Sequence, residues 1–273
     1  MSFQPVVPFG GIAGWNFLKR TMETQRAAFD AAPVRQRDLD YFRDNIGKIG
    51  SAAELVGDRR LLSIALGAFG LGEDVDNRFF IRKVLEEGTV DRGALANRLA
   101  DKRYRDFSAA FGFGNGIAPR MLGAGFGEEI AQAYLGRQFE IGVGQSDQSM
   151  RLALTLEREL PSLAARGVSD DTKWLSMMGN PPLRRAFETA MGFPRSFGTL
   201  DLDRQLVEFR EKAERQFGIS SFAEFARSDT RDELMRVFLA RAQTGGGFGG
   251  SISAASPALA ILEQAAGAEP LLL

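Results

Sequence analysis

Two stretches far apart in this chain, GKIGSAAELVGDRRLL (residues 47–62) and GISSFAEFARSDTRDEL (residues 218–234), place the same residue types in the same order. Ser51 and Ser221 each precede a glutamate by three positions, Glu54 and Glu224. That spacing is a capping box: the hydroxyl accepts from a free N–H of the first helical turn, and the carboxylate reaches back to the cap residue's own N–H. Leu55 and Phe225 follow as core positions. An aspartate then stands where the next helix needs an N-cap, Asp58 and Asp229, with an arginine two places on, Arg60 and Arg231. The same Asp-x-Arg recurs at Asp101 and Arg103. A chain that spends its polar residues this way is starting and stopping short helices.

The helices so opened carry apolar residues at three- and four-residue spacing: Leu61, Ala65, Ala68 and Phe69; Tyr104, Phe107 and Phe111; Leu234 and Phe238. Glycine closes the first two, at Gly70 and Gly112. GNPPLRRAFETAMGF (residues 179–193) mirrors GDRRLLSIALGAFGL (residues 57–71) in degenerate form, with Asn180 as cap and Pro181 and Pro182 in the first turn. The pattern predicts an all-α fold, a compact bundle of repeated short helix–turn–helix units in two pseudo-repeated halves. No segment shows sustained β alternation.

Around the repeat the chain divides into five parts: 1–37, an extended N-terminal arm and an amphipathic helix; 38–114, the first repeat pair; 115–149, a connecting helical segment; 150–242, the second pair; and 243–273, a Gly-rich linker and tail. Pro5, Pro8, Gly10, Gly11 and Gly14 mark the arm, and Trp15, Leu18, Met22 and Phe29 mark one helical face before Pro33. Residues 128–143 place Ile130, Tyr134 and Ile141 on a face, with a break expected near 142–145 on account of Gly142 and Gly144. Leu152, Leu156, Leu160 and Leu163 open the second half, and Pro161 is expected to bend or end their helix. Leu202, Leu206, Phe209, Ala213 and Phe217 form the clearest apolar stripe. After residue 243, TGGGFGG reads as a flexible linker, and residues 258–266 read either as part of a disordered tail or as a short docking helix.

Composition narrows the chemistry. The 273 residues contain no Cys and no His. Thiolate nucleophiles, disulfides and Cys-ligated metals are therefore out, and the side chain best suited to proton transfer near neutral pH is missing. Carboxylate, lysine and tyrosine chemistry remains open. The 34 basic and 35 acidic residues are interspersed, net −1, with no basic tract for a phosphate backbone, so nucleic acid is not expected as a partner. No apolar run is long enough to span a bilayer, and the N-terminus lacks the basic and apolar regions of a Sec signal. GAGFGEE (residues 123–129) fails as a dinucleotide turn because Glu128 stands where the third glycine belongs. Gly47–Lys48 fails as a phosphate loop because Ile49 follows. The adjacent acids Glu86–Glu87, Glu128–Glu129 and Asp170–Asp171 point about 100° apart on a helix and read as solvated turns. No catalytic, cofactor-binding or metal-ligating residues are assigned.

Residues 37–71, 79–88, 99–113, 151–162 and 232–241, with the opening PVVPFGGIAGWNFLKRTM (residues 5–22), resemble the bacterial domain-of-unknown-function family 1217, and the opening resembles its alphaproteobacterial members. The resemblance implies a flagellum-associated role, because members tend to be encoded among flagellar genes; it brings no catalytic residues. The expected function is a non-enzymatic structural or adaptor protein binding other proteins, flagellar ones first, without a cofactor, in the cytoplasm or the flagellum. An exported flagellar component, helped by a mobile arm and the lack of Cys, is the alternative; a carboxylate- or Tyr-dependent enzyme comes third.

Overall fold

Side-chain caps decide where several of these helices begin. A computed structural model of the protein describes residues 3–116, 123 and 125–244. The linker and tail readings for 245–273 lie outside the described residues. The chain opens with α1 (Gly11–Asp30), α2 (Pro33–Ile46), α3 (Ala52–Gly57) and α4 (Arg59–Ala68). Next come α5 (Arg78–Glu87), a single turn α6 (Leu95–Arg98), α7 (Arg103–Phe111) and α8 (Phe126–Ser146). The remainder is α9 (Gln148–Ala164), α10 (Asp170–Met178), α11 (Pro181–Met191), α12 (Leu202–Phe217) and α13 (Ser228–Thr244). No strand occurs among the described residues, so the all-α expectation holds.

The Ser51 side chain accepts from the Glu54 N–H, and the Glu54 carboxylate accepts from Gly50. Asp58 caps α4 through the N–H groups of Arg60 and Leu61 and also accepts from the Tyr41 hydroxyl at 2.6 Å. Ser221 and Glu224 form the full capping box, although what they open is a 3₁₀ turn, Phe222–Ala226, rather than an α-helix. Asn180 caps α11 with prolines in its first turn. Asp229 differs from expectation: α13 begins at Ser228, so Asp229 lies inside the first turn and accepts from the next N–H, Thr230. Gly70 and Gly112 both take positive φ, +73° and +74°, which lets the chain leave α4 and α7 without Cβ strain.

Two expected breaks are absent. Pro161 sits inside α9, which runs on to Ala164. Near the C-terminal end of a helix its missing N–H removes only one bond from a long ladder, and Leu160 and Leu163 on either side are buried. α8 continues through Gly142 and Gly144 to Ser146. Gly142 is there for space: a Cβ would stand 3.1 Å from the Pro5 ring and 3.2 Å from Phe29, because the arm and α1 pack against α8 at this point.

Apolar burial divides the core in two. The smaller cluster gathers α2–α7 around Phe42, Leu55, Leu62, Ile81, Phe107 and Phe111. The larger gathers α1 and α9–α13, with Trp174 ringed by Phe187, Phe209, Phe222 and Phe225 at centroid separations of 4.9–6.3 Å. α8 belongs to both. Phe126, Ile130, Ala131 and Leu135 on its first half wall the smaller core, and Phe139 and Val143 on its second half enter the larger. The α12 stripe is buried at Phe209 and Ala213, joined by Gln205, but Leu202 at its start is 54% exposed.

The N-terminal arm is fixed. Gln25 of α1 accepts from the Val6 N–H at 2.7 Å and donates to the Val6 carbonyl at 3.1 Å, closing a two-bond clamp, and Pro5 is buried. Gly14 permits this, since a Cβ there would overlap the Phe9 carbonyl.

Candidate functional site

The crossing of α8 and α9 carries charge in an otherwise apolar seam. The side chain of Glu140, 3% exposed, accepts from Arg158 Nε at 2.6 Å and Nη2 at 3.0 Å, and from the Thr155 hydroxyl at 3.2 Å. Glu159 accepts from Arg137 Nη2 at 2.6 Å and from Arg158 Nη1. Two cations and two anions make the cluster neutral. Burial opposes the charge on Arg158, but Glu140 and Glu159 outweigh it and hold that guanidinium above its ordinary value. Burial likewise pushes the Glu159 carboxyl up, and Arg158 and Arg137 together overcome it, leaving Glu159 below the usual glutamate value. Arg137 is shifted the other way, lowered chiefly by burial and secondarily by the like charge of Arg158.

Sequence reasoning missed this cluster, although a signal existed. Glu159 stands seven residues after Leu152 and three after Leu156, squarely on the stripe assigned to the core. A charge at such a position is either partnered or misassigned.

Beside the cluster, Lys102, Arg103, Asp106, Glu159 and Arg166 line a cavity of about 20 Å³. Asp106 is held above its ordinary value by the protein packed around it, although half its side chain still reaches solvent, and Arg166 at 3.8 Å counteracts this only in part. A raised and a lowered carboxyl in one pocket is the arrangement an acid/base pair would need. The volume decides against that use: it admits about one water molecule and no substrate. The neighbouring contacts are structural. Arg103 binds Asp101 at 2.6 Å and the Gly70 carbonyl, and the Lys102 N–H donates to Gly179 at 2.7 Å, joining α7 to the α10–α11 turn.

The other sequence features disperse. Arg60 pairs with Asp38 at 3.0 Å and stacks over Tyr41, while Arg231 donates to the Phe225 and Ala226 carbonyls. Glu86 pairs with Arg82, and Glu87 accepts from the Leu95 N–H. Asp170 accepts from Trp174, Ser221 and Phe222, while Asp171 pairs with Arg210. Glu128 pairs with Arg43 at 2.7 Å. No group of three or more Asp or Glu side chains among the described residues is placed to hold a metal.

An open concave surface lies on α1. Phe9, Ala13, Asn16, Phe17, Lys19 and Arg20 line a shallow groove of about 590 Å³. Phe9 is 60% exposed, and Val6 (52%) in the arm and Ile12 (41%) in α1 are exposed as well. A second depression of about 390 Å³ follows on the same helix between Lys19, Met22, Glu23, Arg26 and Glu157. The expected α1 face, with Trp15, Leu18 and Phe29 buried and Met22 packed at its edge, is turned inward; Phe9, Ala13 and Phe17 form a second apolar line at four-residue spacing, turned outward. Lys19 lies over the Trp15 ring, and neither Lys19 nor Arg20 has an acidic partner among the described residues. The groove thus offers apolar area rimmed by Lys19 and Arg20, which suits the apolar face of a partner helix.

The family model described as "Protein of unknown function (DUF1217)" matches residues 68–228. A crystal structure of a structural-genomics target protein from Agrobacterium tumefaciens has the same fold, with a TM-score of 0.72 at 22% identity over 89% of this chain and 99% of that one. No curated protein matches the chain. No helix among the described residues is long and apolar enough to cross a membrane.

Proposed function

The chain belongs to the DUF1217 family of proteins of unknown function, and from that premise we propose that it is a non-enzymatic, flagellum-associated structural or adaptor protein acting through protein–protein contact. The flagellar part of this reading comes from the family resemblance. The part about contact rests on one observation, the outward groove of α1 with its exposed Phe9. Large solvent-facing apolar side chains gathered on one face favour association over solubility, and a packed helical body gives them a rigid platform. The raised Asp106 and lowered Glu159 carboxyls face a space too small for a substrate, which weighs against the carboxylate enzyme. Export gains no support from the arm, because the Gln25 clamp fastens it to α1.

The test is genetic. Deleting the gene should impair flagellar assembly or swimming, and a copy with Phe9→Asp and Ala13→Asp should fail to restore it although the purified variant keeps its helical circular dichroism. Normal flagella and swimming in the deletion strain would end the flagellar reading. Full restoration by the groove variant would end the assignment of this surface.

A further inference from the structure

We infer that α8 is a hinge at Gly136, about which the two cores turn so that the polar seam between α7 and α9–α11 opens and closes. The inference stands apart from the α1 groove and from any flagellar role.

Connectivity limits how the halves are joined. Among the described residues the chain passes from one core to the other at two places. One is Ala31–Ala32, between α1 of the larger core and α2 of the smaller. The other is inside α8, between Leu135, its last side chain in the smaller core, and Phe139, its first in the larger. Gly136 falls in that interval. A glycine in a helix interior weakens the helix relative to alanine and lets it bend. α8 has four glycines, and three of them meet close neighbours: a Cβ would stand 3.2 Å from Ile46 at Gly127, 3.1 Å from Pro5 at Gly142 and 2.6 Å from Arg151 at Gly144. At Gly136 nothing lies within 4 Å. Space does not require this glycine, and it is the one placed where the cores change over.

Away from α8, α7 meets the second half through polar groups. The Lys102 N–H donates to the Gly179 carbonyl at 2.7 Å, and Asp106 faces Arg166 at 3.8 Å. Both side chains of that pair are about half exposed, and an exposed pair so far apart adds little. Burial raises the Asp106 carboxyl and Arg166 offsets it only in part, so closing the seam leaves that charge incompletely compensated. The cavity beside them has room for about one water molecule. Bodies joined by a small polar interface move against one another, whereas a large apolar one fastens them. Turning at Gly136 parts these contacts and leaves each core whole, since the two clusters of buried apolar side chains are separate.

Spin-label distances test the hinge in the full chain, which has no Cys of its own. Asp44 in α2 and Phe79 in α5 are exposed in one half, and Val207 in α12 and Ala240 in α13 are exposed in the other. Nitroxides on Phe79→Cys with Val207→Cys, and on Asp44→Cys with Ala240→Cys, report across the hinge. The same four sites paired within a half, Asp44→Cys with Phe79→Cys and Val207→Cys with Ala240→Cys, are the controls. Pulsed electron double resonance should give distance distributions at least about twofold broader across the hinge than within a half. Gly136→Ala should narrow the distributions across the hinge towards the width of the controls and leave the controls unchanged. Distributions across the hinge as narrow as the controls would overturn the inference. Broad ones that Gly136→Ala leaves unaltered would overturn it too, because the motion would then lie elsewhere.

Discussion

Glu140 shows how much one side chain can matter in this fold. Its carboxylate is buried with Arg158, and removing one member of a buried pair leaves an uncompensated charge. Glu140→Leu should cost about 3 kcal/mol, the low end of the usual range because a third of the Arg158 side chain reaches water. Urea denaturation measures it, and Glu140→Leu with Arg158→Met should recover most of the loss. Glu159 supplies a pH signature. Its folded value is lowered from 4.5, so its stabilisation is complete above that value and is lost as the pH falls through the depressed one. The urea midpoint of Glu159→Gln should therefore fall less on acidification below about 4.5 than that of the parent chain. Glu159 was legible as a charge on the α9 stripe, but its partners were not, because reading α8 and α9 as apolar stripes marks every position on the face as core. The stripes of 152, 156, 160 and 163 were right, and the charge between them passed unnoticed.

At the scale of elements, most helix starts were legible, Asp229 excepted, and helix continuity was not. Ser51, Asp58, Asn180 and Ser221 each act through the nearest backbone N–H groups, a local effect that sequence carries in full. Whether a glycine interrupts a helix depends on what lies across from it, which sequence spacing does not contain. Gly136 and Gly142 separate the two cases within α8. Nothing lies within 4 Å of a Cβ at Gly136, whereas Gly142 faces Pro5 and Phe29. Gly136→Ala should stabilise the protein by about 0.5–1 kcal/mol, the helix-interior difference between the two residues. Gly142→Ala should gain less or destabilise, because Pro5 or Phe29 must move to admit the methyl. Thermal denaturation of the two variants compares them directly. The outward line of Phe9, Ala13 and Phe17 escaped for a related reason: α1 is apolar on two sides, and periodicity identifies one face well and two poorly.

Across the whole molecule the two cores share one helix, and the aromatic residues report on them unequally. Trp15 and Trp174 both belong to the larger core, while Tyr41, Tyr104 and Tyr134 pack against the smaller. Tryptophan fluorescence thus follows one core and far-ultraviolet circular dichroism follows both. With α8 rigid through each, the two signals should give coincident urea transitions; a dichroism curve with a second step would mean that the cores unfold apart. The all-α bundle was readable from caps and periodicity. The division of its core was not, since it follows which face of α8 meets which neighbour rather than where the pattern restarts along the chain.

A helix that serves two cores also settles how the protein could be taken apart. A chain severed between residues 116 and 123 would leave α8 with the later piece and strip the earlier one of Phe126, Ile130, Ala131 and Leu135. The earlier piece alone should be insoluble or unfolded, and co-expression with its complement should restore a native heterodimer on gel filtration. Split-protein reassembly is thus built into the architecture at that bond, and nowhere within α8 itself.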